Sequence, residues 1–156
     1  MRRTHFLVAV AAVCACWLST PASAGSLTSN EAALLSEINR TRAAHGLQPL
    51  RVDARLRRAA RSHSSDMLRR NYFSHGQVAR RLASFGARGP RVGENLAWGT
   101  GAYARAEAIV RAWLTSPPHR ANLLRPGFRR VGVGAVVGTF AGYGGATVVT
   151  ANFAGT

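Results

Sequence analysis

The chain is 156 residues long and carries 21 basic side chains, all of them arginine, against six acidic ones, which gives a formal net charge of +15. This length suits a single domain with a hydrophobic core, and the charge favours anionic partners such as wall polymers, lipid head groups or nucleic acid. The arginines are scattered, however, and aromatic residues do not alternate with them as in single-strand binders, which argues against a nucleic-acid partner. The complete absence of lysine is more typical of compositional bias in the coding sequence than of selection for one ligand.

Residues 1–24 have the pattern of a secretory signal peptide. Arg2 and Arg3 form a positive n-region, the run 6–18 is apolar, and 22–24 is a small-residue cleavage site. The apolar run is shorter than the roughly 20 residues that a membrane-spanning helix needs. We therefore expect a mature chain that begins near residue 25, works outside the cytoplasm and has no transmembrane segment.

Both cysteines, Cys14 and Cys16, lie inside this predicted signal. The mature chain would then contain neither a disulfide nor a thiol nucleophile. Residues 13–16 also loosely resemble a lipoprotein signal, which would leave the protein lipid-anchored at the cell envelope through Cys16. The cleavage site at 22–24 favours free secretion, and lipid anchoring is the alternative.

Capping signals predict the first two helices. Thr28 and Glu31 have the spacing of a capping box, so a helix should begin there, and Gly46 is a natural end for it. Asp53 is placed to cap a second helix, which should run to about Arg70.

Two histidines associated with the second helix have different predicted roles. His63 lies on the apolar face of the helix, where a histidine is more often a satisfied core residue than a ligand. His75 follows the helix end and precedes a glycine, where a side chain can reach a cleft. The next residues, 76–92, are predicted to be irregular and mobile.

The stretch 93–99 places an acid, an amide and an indole between glycines. A carboxylate flanked by such permissive backbone is suited to a cleft wall, which makes Glu94 a candidate site residue. The alternative is a glycine-rich turn in which Glu94 only caps local backbone.

The rest of the chain predicts one more helix and then strands. Residues 103–114 have helical spacing of apolar side chains, 116–118 break the helix, and 119–124 form a short helical turn. Two strand-like runs follow, 131–137 and 146–153, with a glycine-rich loop between them. Helices first and strands last, without a repeating βαβ pattern, predict a single α+β domain in which helices cover an antiparallel sheet.

The polar residues suited to chemistry are few. The nucleophile elbow of serine hydrolases, the metalloprotease His-Glu-x-x-His helix and the phosphate-binding loop with lysine are all absent from the sequence. His75 and His119 with Glu94 would suit a divalent transition metal such as zinc, and the same groups would suit proton transfer. Their distances along the chain do not by themselves establish that they meet.

These residues carry a resemblance to a known family. The run Gly-Glu-Asn-Leu-Ala-Trp at 93–98, with His75 before it and Trp113 and His119 after it, resembles the CAP superfamily of cysteine-rich secretory, antigen 5 and pathogenesis-related proteins. Further matches to its secreted bacterial branch lie at 39–42, 46–50, 116–124 and 131–134. The resemblance covers nearly all of the mature chain, as a domain over 29–154 that follows a short lead-in at 25–28.

The resemblance implies a three-layer α-β-α sandwich with a central antiparallel sheet and a large cleft. It places His75, Glu94, His119 and Ser116 in that cleft, and because several family members bind a divalent metal through the two histidines, it makes His75 and His119 the candidate ligands of such an ion. The family usually has a second glutamate at the position of Ser116, and its loss weakens any mechanism that needs two acids. The disulfides of the family are also missing, so packing alone must hold the domain.

Two functions remain in view. The first is an extracellular binding module whose cleft takes a lipid, a peptide or an anionic cell-envelope polymer. The alternative is a metal-dependent hydrolase acting on peptide or wall material, with zinc on His75 and His119 and with Glu94 as general base. Catalytic zinc normally has three protein ligands, so the hydrolase would need another one, such as an inward-turned His63.

Overall fold

A sheet of four strands forms the centre of the computed structural model, which describes residues 26–155. The helices are α1 (Ser29–Ala44), α2 (Ala54–Arg70), α3 (Val78–Ser84), α4 (Ala106–Thr115) and α5 (Pro117–Leu123), with a 3₁₀ turn at Gly101–Ala104. The strands are β1 (Arg51–Val52), β2 (Val92–Gly99), β3 (Phe128–Phe140) and β4 (Tyr143–Gly155). The predicted signal peptide and both cysteines lie outside the described residues and stay predictions.

The strand order in the sheet is β1-β3-β4-β2. β3 and β4 form a long antiparallel hairpin, and β2 pairs antiparallel with the other side of β4, from Val92 opposite Ala154 to Gly99 opposite Thr147. β1 contributes two residues that pair parallel with β3. The predicted antiparallel sheet is therefore confirmed for the three long strands, and the short edge strand makes the sheet mixed.

Helices cover both faces of the sheet. On one face α1, α4 and α5 enclose the larger core, in which Trp113 is buried with Phe153. On the other face α2 and α3 bury Leu56 and further apolar side chains. Neighbouring residues of β4 alternate between the two cores, with Val149 in the first and Val148 in the second. This is the predicted three-layer α-β-α sandwich of the α+β class.

The predicted caps of the first two helices are confirmed. The Thr28 hydroxyl accepts from the backbone N–H of Glu31, whose carboxylate accepts from the N–H of Thr28 in return. Oδ1 of Asp53 accepts from the backbone N–H groups of Arg55 and Leu56 at the start of α2. Within residues 26–155, no helix combines the length and the apolar character needed to cross a bilayer.

The prediction of an irregular segment over 76–92 is wrong for α3. This helix has seven residues and no side-chain cap. Its one buried residue is Leu82, which packs against α2. A helix of two turns has only about two apolar positions on its buried face, so the sequence shows no recognisable helical repeat of apolar residues.

The predicted strands are too short, and the stretch 93–99 is not a turn. That stretch forms most of β2. The glycine-rich residues between the two predicted strands belong to the ends of β3 and β4, and the hairpin turns at Ala141 and Gly142, whose φ values are 51° and 83°. The third predicted helix begins with the 3₁₀ turn and becomes α-helical from Ala106.

α2 lies directly on the backbone of β3. A Cβ atom added to Gly132 would lie 2.1 Å from the backbone nitrogen of Arg57, and one added to Gly134 would lie 2.3 Å from that of Arg61. The Ser64 hydroxyl donates to the carbonyl oxygen of Gly134 at 3.0 Å. The two glycines therefore set the distance between helix and sheet.

Replacing Gly134 with alanine should lower the free energy of unfolding by about 3 kcal/mol, at the upper end of overpacking costs, because the new methyl group meets helix backbone. Urea denaturation measures this change. Gly144→Ala is the matched control, since a Cβ there meets nothing within 4 Å. Equal stability of the two variants would contradict the close approach of α2 to β3.

Candidate functional site

Glu94 on β2 is a buried carboxylate, and its side chain is 1% exposed. Oε1 lies 2.9 Å from Nδ1 of His75, and Oε2 accepts from the guanidinium of Arg81. On β4, Asn152 lies opposite Glu94, and with its amide oriented to satisfy both neighbours it donates to Oε2 at 2.9 Å and accepts from the N–H of Ala60. Burial of an ionised carboxylate requires such partners, so this network holds Glu94 in one position.

His75 lies in the loop that follows α2. Asn71 caps the C-terminus of α2 with a left-handed backbone, at a φ of 52°. Nε2 of His63 on α2 lies 2.9 Å from the carbonyl oxygen of Ser74, which ties the loop to the helix just before His75. His63 is therefore a buried core residue with a backbone partner, as the sequence favoured, and it positions the loop that carries His75.

Arg81 on α3 joins the two parts of the site. One guanidinium nitrogen donates to the carbonyl oxygen of His75 at 3.0 Å, and another pairs with Oε2 of Glu94. The role of Arg81 was not predicted, because residues 76–92 were expected to be irregular. A signal was nonetheless present, since a buried acid requires a cationic partner and the arginines of the preceding segment are close in the chain.

His119 lies on α5, which hydrogen bonds hold against β2. The buried amide of Asn95 donates to the carbonyl oxygen of His119 at 3.0 Å. Asn122 donates to the carbonyl oxygen of Glu94 at 3.1 Å and to the amide oxygen of Asn95 at 3.0 Å. These bonds place the His119 ring with its centroid 6.4 Å from that of His75, at an angle of 41°.

The structure thus brings together three of the four predicted cleft residues. Ser116 is the N-cap residue of α5, and its hydroxyl makes no capping hydrogen bond. Within residues 26–155, no hydrogen bond joins it to His75, Glu94 or His119. Asn122 was inside the motif that carried the family resemblance, but only the structure identifies its role as the link between α5 and β2.

Burial and neighbouring charges favour the neutral form of two histidines. Burial lowers the pKa of His119 below its ordinary value of 6.5, and the charge of His75 lowers it further. Burial and the charge of Arg81 lower the pKa of His63, against the opposing charge of Glu94. At neutral pH both imidazoles therefore keep a lone pair on one ring nitrogen.

The two histidines of the site fit a metal ion in part. Because Nδ1 of His75 faces Glu94, its Nε2 remains for a metal, which is the carboxylate–histidine arrangement that orients many metal ligands. Zinc–nitrogen distances of about 2.0–2.1 Å put two imidazole centres roughly 5 Å apart around a tetrahedral ion. The observed 6.4 Å therefore needs small ring rotations. In the described part of the chain, no three His, Cys, Asp or Glu side chains form a metal-binding group.

Known proteins are similar to this chain over much of its sequence. The sequence profile of the cysteine-rich secretory protein family, CAP, matches residues 35–153. The chain is 36% identical over 123 residues to the "Uncharacterized protein YkwD" of Bacillus subtilis strain 168, covering 76% of this chain and 47% of that protein. It is 36% identical over 112 residues to the "Uncharacterized membrane protein YlbC" of the same bacterium, covering 69% and 32%. The chain spans half or less of the length of these relatives.

Solved structures agree with the fold. A crystal structure of an extracellular protein containing a SCP domain, from Bacillus anthracis strain Ames, superposes with a TM-score of 0.67 at 29% identity, covering 85% of this chain and 45% of that one. An outer surface protein of Borrelia burgdorferi gives a TM-score of 0.67 at 20% identity, covering 79% and 90%. At that lower identity the second match concerns the fold alone.

The proximity of the two histidines predicts that a change at His75 alters the pKa of His119. In the wild type His119 should lose its proton at a pH below 6.5, since burial and a nearby cation both disfavour its charged form. His75→Gln should raise the pKa of His119, because it removes one of these two causes. NMR of the imidazole protons against pH measures both values.

His45→Gln is the control for this titration, because His45 lies at the end of α1 and bonds to the carbonyl oxygen of Thr41. It should leave the pKa of His119 unchanged. A wild-type pKa at or above 6.5, or equal effects of the two variants, would contradict the electrostatic description of the site.

Proposed function

This chain belongs to the cysteine-rich secretory protein family, CAP, and from that premise we propose that it is an extracellular binding module whose ligand contacts the surface formed by His75 and His119. The His75 side chain is half exposed and the His119 side chain is partly buried. The ligand classes that suit such a site are a lipid, a peptide or an anionic cell-envelope polymer, of which the last matches the net charge of +15.

The engagement of Glu94 is the observation that carries this proposal. Both carboxylate oxygens have partners, Oε1 with His75 and Oε2 with Arg81. A general base must take a proton from water or substrate within hydrogen-bond reach. Glu94 would first have to give up its ion pair with Arg81 while its own carboxylate is almost fully buried, and a buried charge that loses its partner costs several kcal/mol. The carboxylate therefore serves better to orient His75 than to move protons.

Hydrolysis remains the alternative function, favoured by the one observation that two imidazoles lie side by side near a carboxylate. Zinc at these nitrogens would act as a Lewis acid on water or on a carbonyl group. Catalytic zinc normally has three protein ligands, so such a centre would need a third one besides His75 and His119. Nε2 of His63 already faces the carbonyl oxygen of Ser74, and among the described residues no three His, Cys, Asp or Glu side chains form a metal-binding group.

We place a divalent cation such as zinc in the binding proposal as a ligand of His75 and His119. The lowered pKa of His119 supports it, because metal binding requires the neutral imidazole. Glu94 would act behind His75 as the partner that fixes its tautomer. Export is part of the same proposal, and it draws on the predicted signal peptide and on the extracellular relative from Bacillus anthracis.

Zinc binding tests the metal part. Equilibrium dialysis of the wild type should find one zinc ion per chain, and the double variant His75→Ala, His119→Ala should lose it. His45→Ala is the matched control, since His45 is an exposed histidine at the end of α1. Equal zinc binding by the wild type and the double variant would remove these two residues from the proposal.

A screen for binding and turnover separates the two functions. Lipid vesicles, peptides and soluble wall fragments are titrated into the protein while imidazole NMR signals are followed, and product formation is assayed in the same samples. We expect binding without turnover, weakened about tenfold in the double variant, as for the loss of central contact residues. Cleavage that disappears in that variant would establish the hydrolase, and no binding in any class would end the proposal.

A further inference from the structure

A concave surface lies at the opposite edge of the sheet from Glu94. It is a groove of about 560 Å³ beside β1, whereas Glu94 is on the far edge strand β2. We call it the β1 groove, and it is lined by Gln48, Pro49, Arg51, Val52, Asp53, Arg129 and Arg130. Its volume lies within the roughly 300–1,000 Å³ that is typical of small-molecule sites.

The charges of the β1 groove are unbalanced. Asp53 is the one acid among these lining residues, and its carboxylate is fully engaged: Oδ1 caps α2, and Oδ2 pairs with Arg130 at 2.7 Å. Arg51 and Arg129 form no ion pair with any carboxylate of residues 26–155. Two guanidinium groups at this surface therefore lack an acidic partner within the described chain.

Buried Arg42 donates to the carbonyl oxygen of Gln48 in the groove lining and adds a further positive charge next to the groove. Arg42 is fully buried, and its guanidinium donates to the backbone carbonyl oxygens of Gln48, Leu123, Arg125 and Phe128. No carboxylate of the described residues pairs with it. Burial and the charge of Arg129 lower its pKa, which indicates that the two cations act on each other. The carbonyl groups that hold Arg42 carry no net charge, so its positive charge adds to that of the nearby groove and favours an anion there.

An irregularity in the sheet helps to aim Arg129. The pairing of β3 with β4 shifts register between Phe128 and Arg130. A bulge of this kind re-aims the side chain of the extra residue, which otherwise would alternate to the face opposite Arg130. Arg129 and Arg130 both line the groove as a result. Arg51 reaches it from the neighbouring strand β1.

We propose that the β1 groove is a second binding site, which takes a phosphate group of a phosphodiester polymer with short aliphatic linkers. Guanidinium forks match phosphate oxygens, and a tetrahedral phosphodiester can accept from two forks that approach from different strands. Pro49 and the 41% exposed Val52 offer apolar contact to an aliphatic linker. Among the described residues that line the groove, none is an aromatic on which a base could stack, which favours a polyol phosphate over a nucleic acid.

The test compares two variants with the same change in charge. A fluorescent poly(glycerol phosphate) oligomer is titrated with the full mature protein at about 0.15 M salt, where long-range attraction is screened. Arg51→Gln with Arg129→Gln should weaken binding roughly tenfold or more, because two charge-assisted donors are lost. Arg58→Gln with Arg111→Gln is the control, since both side chains are exposed on helices outside the groove, and it should weaken binding less than about threefold.

Further arms address the fold and the chemistry of the ligand. Arg51→Gln alone should also weaken binding, and no hydrogen bond or ion pair of the described structure depends on this side chain. Polyglutamate and a single-stranded oligonucleotide of equal charge should bind more weakly than the polyol phosphate. Equal losses in the groove and control variants, or equal affinity for either competing polymer, would overturn the proposal.

Discussion

The close contact of α2 with the backbone of β3 determines where the site residues lie. Gly132 and Gly134 allow the helix to rest on the strand, and Ser64 fixes it there through the carbonyl oxygen of Gly134 and the hydroxyl of Thr150. The distance between α2 and the sheet sets the position of His63. The imidazole of His63 bonds to the carbonyl oxygen of Ser74 and so holds the loop that leads to His75. A helix displaced outward by side chains on β3 would move this loop away from β2, because packed interiors transmit such shifts.

Scarcity of acidic residues shapes the electrostatics of the whole domain. Six acids face 21 arginines, and the two acids nearest to the sites each serve several partners at once. Asp53 caps α2 and pairs with Arg130, and Glu94 is shared by His75 and Arg81. These two acids are thereby committed to structure, and the partners of buried Arg42 are backbone carbonyl groups.

The sequence predicted those features of the fold that depend on interactions between residues close together in the chain. The caps at Thr28 and Asp53 depend on short-range hydrogen bonds and were readable, as was the apolar face that contains His63. The meeting of His75, Glu94 and His119 depends on tertiary packing, and only the family resemblance suggested it. α3 was unreadable because seven residues without a cap carry little pattern, and its Arg81 was lost with it. β2 was misread since glycines and buried polar residues, not alternating apolar ones, fill its first positions.

The serine at position 116 changes what the two histidines can do. With a second acid absent there, the nearest negative charge is Glu94, and Arg81 already balances it. A dication at His75 and His119 would therefore gain little Coulombic attraction and would depend on the imidazole nitrogens themselves. Among residues 26–155 these two nitrogens would be its protein anchors, with the remaining coordination positions open to a ligand. Such an ion is better placed to join a bound molecule to the protein than to activate water against a base that is already occupied.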